Sequence, residues 1–162
     1  PVPDFFDEGI GARLTTADIG EDPIQVGITT ITPRKVNHTP GISTFGFRLD
    51  SDGQSLAYIP DVEYLNETHQ RPALQLAEGV DLLIHDAHHT SAEYDSQRGC
   101  GHCSDAAAVE LARKADVGKL ILFHHHPDHG DDTIDDVVSH YSGDEVDVEA
   151  ASERAEYVLD SR

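Results

Sequence analysis

Four short strand-like runs in this 162-residue chain each stop at histidine or aspartate. ITPRKVNH ends at His38, and SLAYIPD ends at Asp61. DLLIHDAHH finishes in His85, Asp86, His88 and His89, and KLILFHHHPDH turns polar at His124. Each run is too short for a typical helix, and Val80–Ile84 and Lys119–Phe123 are apolar almost throughout, as in a buried strand. In layered α/β sheets, sites form where strand ends converge. The same feature therefore constrains the architecture and the position of any chemistry.

The remaining segments fit that class. Residues 1–22 carry turn signals and read as an irregular lead-in. From Ile24 to Val36, β-branched residues dominate, which predicts two strands joined near Gly27 or Pro33. Thr44–Leu49 and Ser55–Ile59 read as a hairpin about Asp50-Ser-Asp-Gly53. Ser104 is an N-cap for a helix to Asp116 with Ala108, Leu111 and Ala115 on one face. A second helix is expected over Asp132–Tyr141. The last segment, Val146–Leu159, reads as a terminal hairpin or a helix, with strands the favoured reading. Strands alternating with helices indicate an α/β domain.

Charge is the strongest global signal. The chain has 31 acidic against 11 basic residues, a formal net charge of −20, and only Lys35, Lys114 and Lys119 as lysines. The acids are spread throughout, which points to a solvated acidic surface on a folded domain rather than a disordered tail. Such a surface resembles those of proteins from salt-loving organisms, because molar salt screens charges within about 3 Å. No basic patch is present to neutralise phosphates, so nucleic acid is a disfavoured partner. No run of apolar residues is long enough for a membrane helix, and a cytoplasmic location is expected.

Imidazoles and carboxylates together suit zinc, manganese or iron. Singly, each has a simpler reading. His38 in a loop is more often a surface or capping residue, and Asp61 after Pro60 fits an ordinary turn. Cys100-Gly-His-Cys103 is a CxxC, but no second cysteine pair completes a structural zinc site. Small buried thiols are the simpler reading. No G-x-S-x-G elbow supports a serine hydrolase.

The motifs VNH (36–38), FGFRL (45–49), GQSLAYIPD (53–61), DLLIHDA (81–87), GHCS (101–104), AVELA (108–112) and LILFHHHPDH (120–129) follow one another in this order. The series resembles the second half of a metallo-β-lactamase-fold hydrolase, in the branch of ribonuclease Z and related phosphodiesterases. That resemblance implies part of an αββα sandwich. It implies His38, Asp61 and His124 as ligands of two divalent ions, zinc or alternatively manganese or iron, with Asp61 bridging them. It also implies Asp86 and His102 as an acid–histidine pair that assists the leaving group. An imidazole held by a carboxylate is well oriented to act as an acid near neutral pH. The family's acid is more often Glu, so Asp86 has a shorter reach.

The family's His-x-His-x-Asp-His signature does not occur here. The expectation is therefore a single partial domain over 1–162, lacking the half that carries the signature. The complete protein would hydrolyse a phosphodiester, small-molecule or nucleotide, or another ester, through a metal-activated water. The missing half would be supplied by a longer chain or by another chain, a homodimer included. The alternative is a non-enzymatic acidic module, derived from that fold, that responds to metal or pH. The charge makes one prediction independent of all this. The thermal midpoint should rise steadily from low to molar KCl, and a midpoint that does not move would remove the argument from surface charge.

Overall fold

The computed structural model describes residues 18–159. Most of the lead-in expected over residues 1–22 lies outside them. Strands β1 (Ile24–Val26) and β2 (Thr29–Val36) form a hairpin at Gly27, which has a positive φ of 59°. Among the described residues β1 pairs only with Thr29–Ile31 and no strand pairs with β2 beside Pro33 on that side, the place where a sheet tolerates proline. β3 (Thr44–Ser51) and β4 (Gln54–Ile59) meet at Asp52-Gly53, both with positive φ, as a tight two-residue hairpin turn requires.

From β4 onward the chain alternates. Helix α1 (Glu67–Ala77) leads to β5 (Leu82–Asp86). A short helix α2 (Tyr94–Gln97) and then α3 (Asp105–Lys114) lead to β6 (Lys119–Phe123). Helix α4 (Asp131–His140) leads to β7 (Asp147–Ala150). The seven strands lie in sequence order in one sheet, antiparallel from β1 to β4 and parallel from β4 to β7. Right-handed crossovers that all step in one direction put α1, α3 and α4 on the same face.

The core lies between that face and the helices. Ala57 and Ile59 of β4, Leu83 of β5, and Leu120 and Leu122 of β6 are fully buried against Ala73, Leu76, Ala108, Leu111 and Ala112. A side chain at Gly46 would bring its Cβ to 2.8 Å from Leu76 Cδ1, so glycine is what lets α1 lie close to β3. As expected, Ser104 caps α3 by accepting from Ala107 N, and Ala108, Leu111 and Ala115 are buried.

Two elements differ from expectation. α1 has no helical signature in the sequence, because Pro72 sits inside it and its buried positions, Ala73, Leu76 and Ala77, fall only in its second half. Asn66 starts it by accepting from His69 N. The tail expected as strands contributes one strand, β7, held beside β6 by Lys119, which reaches both Asp147 and Glu149. A turn at Ser152 with Arg154 at positive φ then leads the chain out of the ladder. Truncating Leu83 to Ala opens a cavity at the centre of this packing. It should cost about 2–5 kcal/mol in urea unfolding at high salt, and a loss below about 1 kcal/mol would contradict the assigned core.

Candidate metal centre

His38 follows β2, Asp61 follows β4, Asp86 ends β5 and His124 follows β6. The ends of these elements converge. His124 lies at φ 60°, a left-handed conformation that stops β6 and sends three consecutive histidines in different directions. The His124 ring stands 4.9 Å from His102 and 5.1 Å from His88. His125 turns toward a small cavity beside Asp105 and Thr133. His126 packs 4.9 Å from His88.

The carboxylate of Asp86 organises the centre. It is fully buried and accepts from Val62 N at 3.0 Å, His88 N at 3.0 Å and His102 Nδ1 at 2.8 Å. Two more imidazoles have Nδ1 anchored in a similar way. His38 Nδ1 lies 2.7 Å from Gly101 O, and His88 Nδ1 lies 2.8 Å from His124 O. Tying Nδ1 to a carboxylate or carbonyl leaves Nε2 free, which is how proteins commonly prepare a histidine for a metal. His124 is different. Its Nδ1 is buried and lies within ion-pair distance of Asp61 Oδ1, at 3.3 Å, but makes no hydrogen bond among the described residues.

Glu63 supports this arrangement from beneath. It is buried, and its carboxylate accepts from Gly99 N at 2.6 Å, Gly101 N at 2.9 Å and Tyr94 Oη at 3.1 Å. Its backbone clasps Asn37 in both directions, each contact at 2.8 Å. Glu63 therefore joins the segments bearing His38, Asp61 and His102. Gly101 must be glycine, since it has φ 103° and a Cβ there would lie 2.7 Å from His38 Nδ1.

The hydrogen bond from Asp86 raises the pKa of His102. Burial lowers that of His88, despite its carbonyl partner. Burial also lowers His85, whose two nitrogens meet Tyr64 Oη at 2.6 Å and Asp86 O at 2.7 Å. His85 is thereby fully partnered, a structural histidine among its more accessible neighbours. Beside the centre, Glu93 lies 2.9 Å from His129 Nε2 and 3.5 Å from His89 Nδ1. The expectation of two buried thiols holds only for Cys103. Cys100 is exposed, with its Sγ 3.1 Å from His89 Nε2.

All five residues singled out in the sequence, His38, Asp61, Asp86, His102 and His124, thus lie in one neighbourhood. Sequence reasoning noted His88 without giving it a role, and it passed over Glu63. The spacing Asp86-x-His88 held a signal for the first, since one carboxylate can accept from the backbone two residues on. Glu63 had none, because its carboxylate's partners, two backbone amides and the Tyr94 hydroxyl, lie more than thirty residues away. One ring nitrogen from each of His88, His102 and His124 lies within 4.8 Å of the others. This donor set, with an unbonded buried nitrogen on His124, fits a divalent transition metal.

The chain belongs to the beta-lactamase superfamily domain family, whose model matches residues 2–125. Among solved structures it is similar to the metallo-beta-lactamase fold protein YhfI from Bacillus subtilis (TM-score 0.68, 21% identity, 84% of this chain and 52% of that one). It is also similar to human tRNase Z, short form (TM-score 0.64, 19% identity, 85% of this chain and 46% of that one). Ribonuclease BN of Escherichia coli O1:K1 is 46% identical over 52 residues, which is 32% of this chain and 17% of that protein. The chain spans about half of the solved relatives and a smaller share of the curated ones. At these identities the solved structures establish the fold, and the expected α/β metallo-β-lactamase architecture is what the chain adopts.

Glu63 gives a direct test of the scaffold. Glu63→Gln replaces an acceptor with a donor facing either Gly101 N or Gly99 N. Unfolding at high salt should become easier by about 1–3 kcal/mol. An unchanged stability would mean that the loop does not depend on this carboxylate.

Proposed function

We propose that this chain forms the metal-binding second half of a hydrolase that cleaves phosphodiesters. The observation that carries the reading is the convergence of Asp61 and His124 beside the Asp86–His102 pair, with His38 at 4.9 Å from His102. In the complete site His38, Asp61 and His124 would hold two divalent ions, zinc by donor chemistry, with the Asp61 carboxylate as their common ligand. Such ions supply a water acidic enough to act as nucleophile near neutral pH. The chain's own residues do the rest. Asp86 fixes the His102 ring by its Nδ1, and His102 presents a proton at Nε2 to the departing oxygen. Glu63 and Gly101 hold His38 in register. The raised pKa of His102 suits an acid that must stay protonated near neutrality.

The substrate class is supported by the relatives' names, since ribonucleases and a PhnP-family diphosphatase all act on phosphate esters or anhydrides. The net charge of −20 favours a small phosphodiester over a long polyanion. The half-domain reading has its own support. β5 and β6 are apolar on both faces, as strands covered on both sides are. Yet α1, α3 and α4 all lie on one face, and Phe47, Tyr58, Ile84 and Ile121 form a cross-strand row on the other. A second sheet carrying the His-x-His-x-Asp-His ligands would cover that row.

Asp61→Ala in the complete protein should remove bound metal and hydrolysis of bis-p-nitrophenyl phosphate together. A drop of more than about a hundredfold is expected, equivalent to roughly 2.7 kcal/mol. Activity surviving this change would rule out the bridging role.

A further inference from the structure

We propose that one water molecule is bound between Asp105 and His125, in the small cavity against α4, and ties that helix to the histidine run after β6. The site takes none of the residues of the two-ion reading and does not rest on it. Two observations carry it. Asp105, the first residue of α3, is only 4% exposed, and one of its carboxylate oxygens is unsatisfied. Oδ2 accepts from Tyr141 Oη at 2.5 Å and from Ser91 Oγ at 3.2 Å, whereas Oδ1 is buried with no hydrogen-bond partner among the described residues. The same holds for His125 Nε2. Both residues line one cavity, together with Thr90, Thr133, Ala87 and Val137. The cavity offers about 10 Å³ to the centre of a guest, which is about what a single water needs.

The two atoms select their guest. An ionised carboxylate oxygen only accepts, and a neutral imidazole nitrogen donates or accepts according to its tautomer. Neither atom bonds the other, and buried polar groups in folded proteins are bonded almost without exception, so an intermediary is required. Water serves both tautomers. It donates to Asp105 Oδ1, and it meets His125 Nε2 with its second hydrogen or with a lone pair. The hydroxyls of Thr90 and Thr133 border the same cavity and offer the further partners that buried waters use. A transition metal is a poorer guest, because among the described residues the one set of three ligand atoms within 4.8 Å of one another belongs to His88, His102 and His124. Calcium takes about six to eight oxygen ligands, which one carboxylate and two hydroxyls do not supply.

The bridge has a structural consequence. No residue of α4 is buried, so its attachment depends on partly covered side chains and on polar contacts. Tyr141 fastens its C-terminal end to Asp105. Asp105 in turn holds the loop after β5, through Ser91 Oγ and through its own N–H on His89 O at 3.0 Å. The water adds the missing connection, from Asp105 to the residue next to His124. It thereby makes α4 a support of the polar centre.

The test joins a high-resolution crystal structure of the chain, grown in high KCl, to a double-mutant cycle. One density peak within about 3.2 Å of both Asp105 Oδ1 and His125 Nε2 is expected. A rubidium chloride soak should leave that peak without anomalous signal, and a signal there would overturn the assignment in favour of a monovalent metal ion. Asp105→Ala and His125→Phe each remove one end of the bridge. The cycle separates their shared part from the Tyr141 and Ser91 contacts that Asp105→Ala also loses. In urea unfolding at high salt the two substitutions should be coupled by about tenfold in the equilibrium constant, as residues with a common partner are. Strictly additive effects would overturn the bridge. So would a cavity without a peak, or a His125 ring turned to bond Asp105 directly. The crystallographic result needs no variant, so a substitution that does not fold leaves the proposal open to refutation.

Discussion

One buried carboxylate sets the geometry of this protein's polar centre. Asp86 ends a strand whose other residues are apolar or buried, and it has no contact with solvent. A carboxylate in that position is tolerated only if its oxygens are satisfied, and here three donors satisfy it. The donors come from the segment after β4, the loop after β5 and the loop before α3. The requirement to bond Asp86 therefore fixes Val62, and with it the neighbouring Asp61, as well as His88 and His102. Glu63 repeats the principle one layer out. Its three donors include two backbone amides of the glycine-rich loop, so His102 is held from both sides.

The sheet explains why these segments meet. Parallel order from β4 to β7 brings the ends of β4, β5 and β6 to one edge, and each end is followed by a loop rather than directly by a helix. β2 runs antiparallel to β3, and β3 to β4, so the end of β2 arrives at the same edge with His38. The isolated bridge between His89 and Ser104 extends β5 sideways and draws the CxxC loop to it. Left-handed backbone at His124 ends β6, and positive φ at Gly101 lets its loop lie against the His38 ring. These are local conformations with a cost, and the packed strands around them supply the constraint that keeps them.

Much of this was legible in the sequence for a physical reason. Strand ends, caps and hairpin turns are set by short-range chemistry, so Asp52-Gly53, Ser104 and the apolar runs named their own roles. Asp61, Asp86, His102, His38 and His124 were found because each terminates such a run or lies in a motif with a known neighbourhood. Helix α1 was illegible because its helical face is completed by tertiary contact with Gly46 and Ile59 rather than by periodicity. Glu63 was illegible because two of its three partners are backbone amides, which leave no trace in residue type, and the third, Tyr94 Oη, lies far along the chain. His88 stood in view, but only distances give it meaning. The chain after Ala150 misled, since strands were favoured for the whole of Val146–Leu159 while the turn at Ser152 directs its second half out of the ladder.

The apolar face and the polar centre bear on each other at one point. Tyr58 and Phe123 lie on the sheet face that α1, α3 and α4 leave free, with rings 5.9 Å apart, and Phe123 stacks beside His124 at 6.3 Å. Burial, with Asp61 close by, raises the pKa of the Tyr58 hydroxyl. The apolar face therefore runs up to His124 through Phe123. A surface that covers this face would also approach Asp61 and His124, so in the proposed two-half hydrolase hydrophobic burial and completion of the site would be one event. For a chain of such high negative charge the coupling has a further consequence. The carboxylates that repel at the surface are screened by salt, whereas Asp61 is balanced by whatever cationic group the centre acquires. In that proposed assembly ligand binding and covering of the sheet would reinforce each other, since each would remove a cost that the other meets alone.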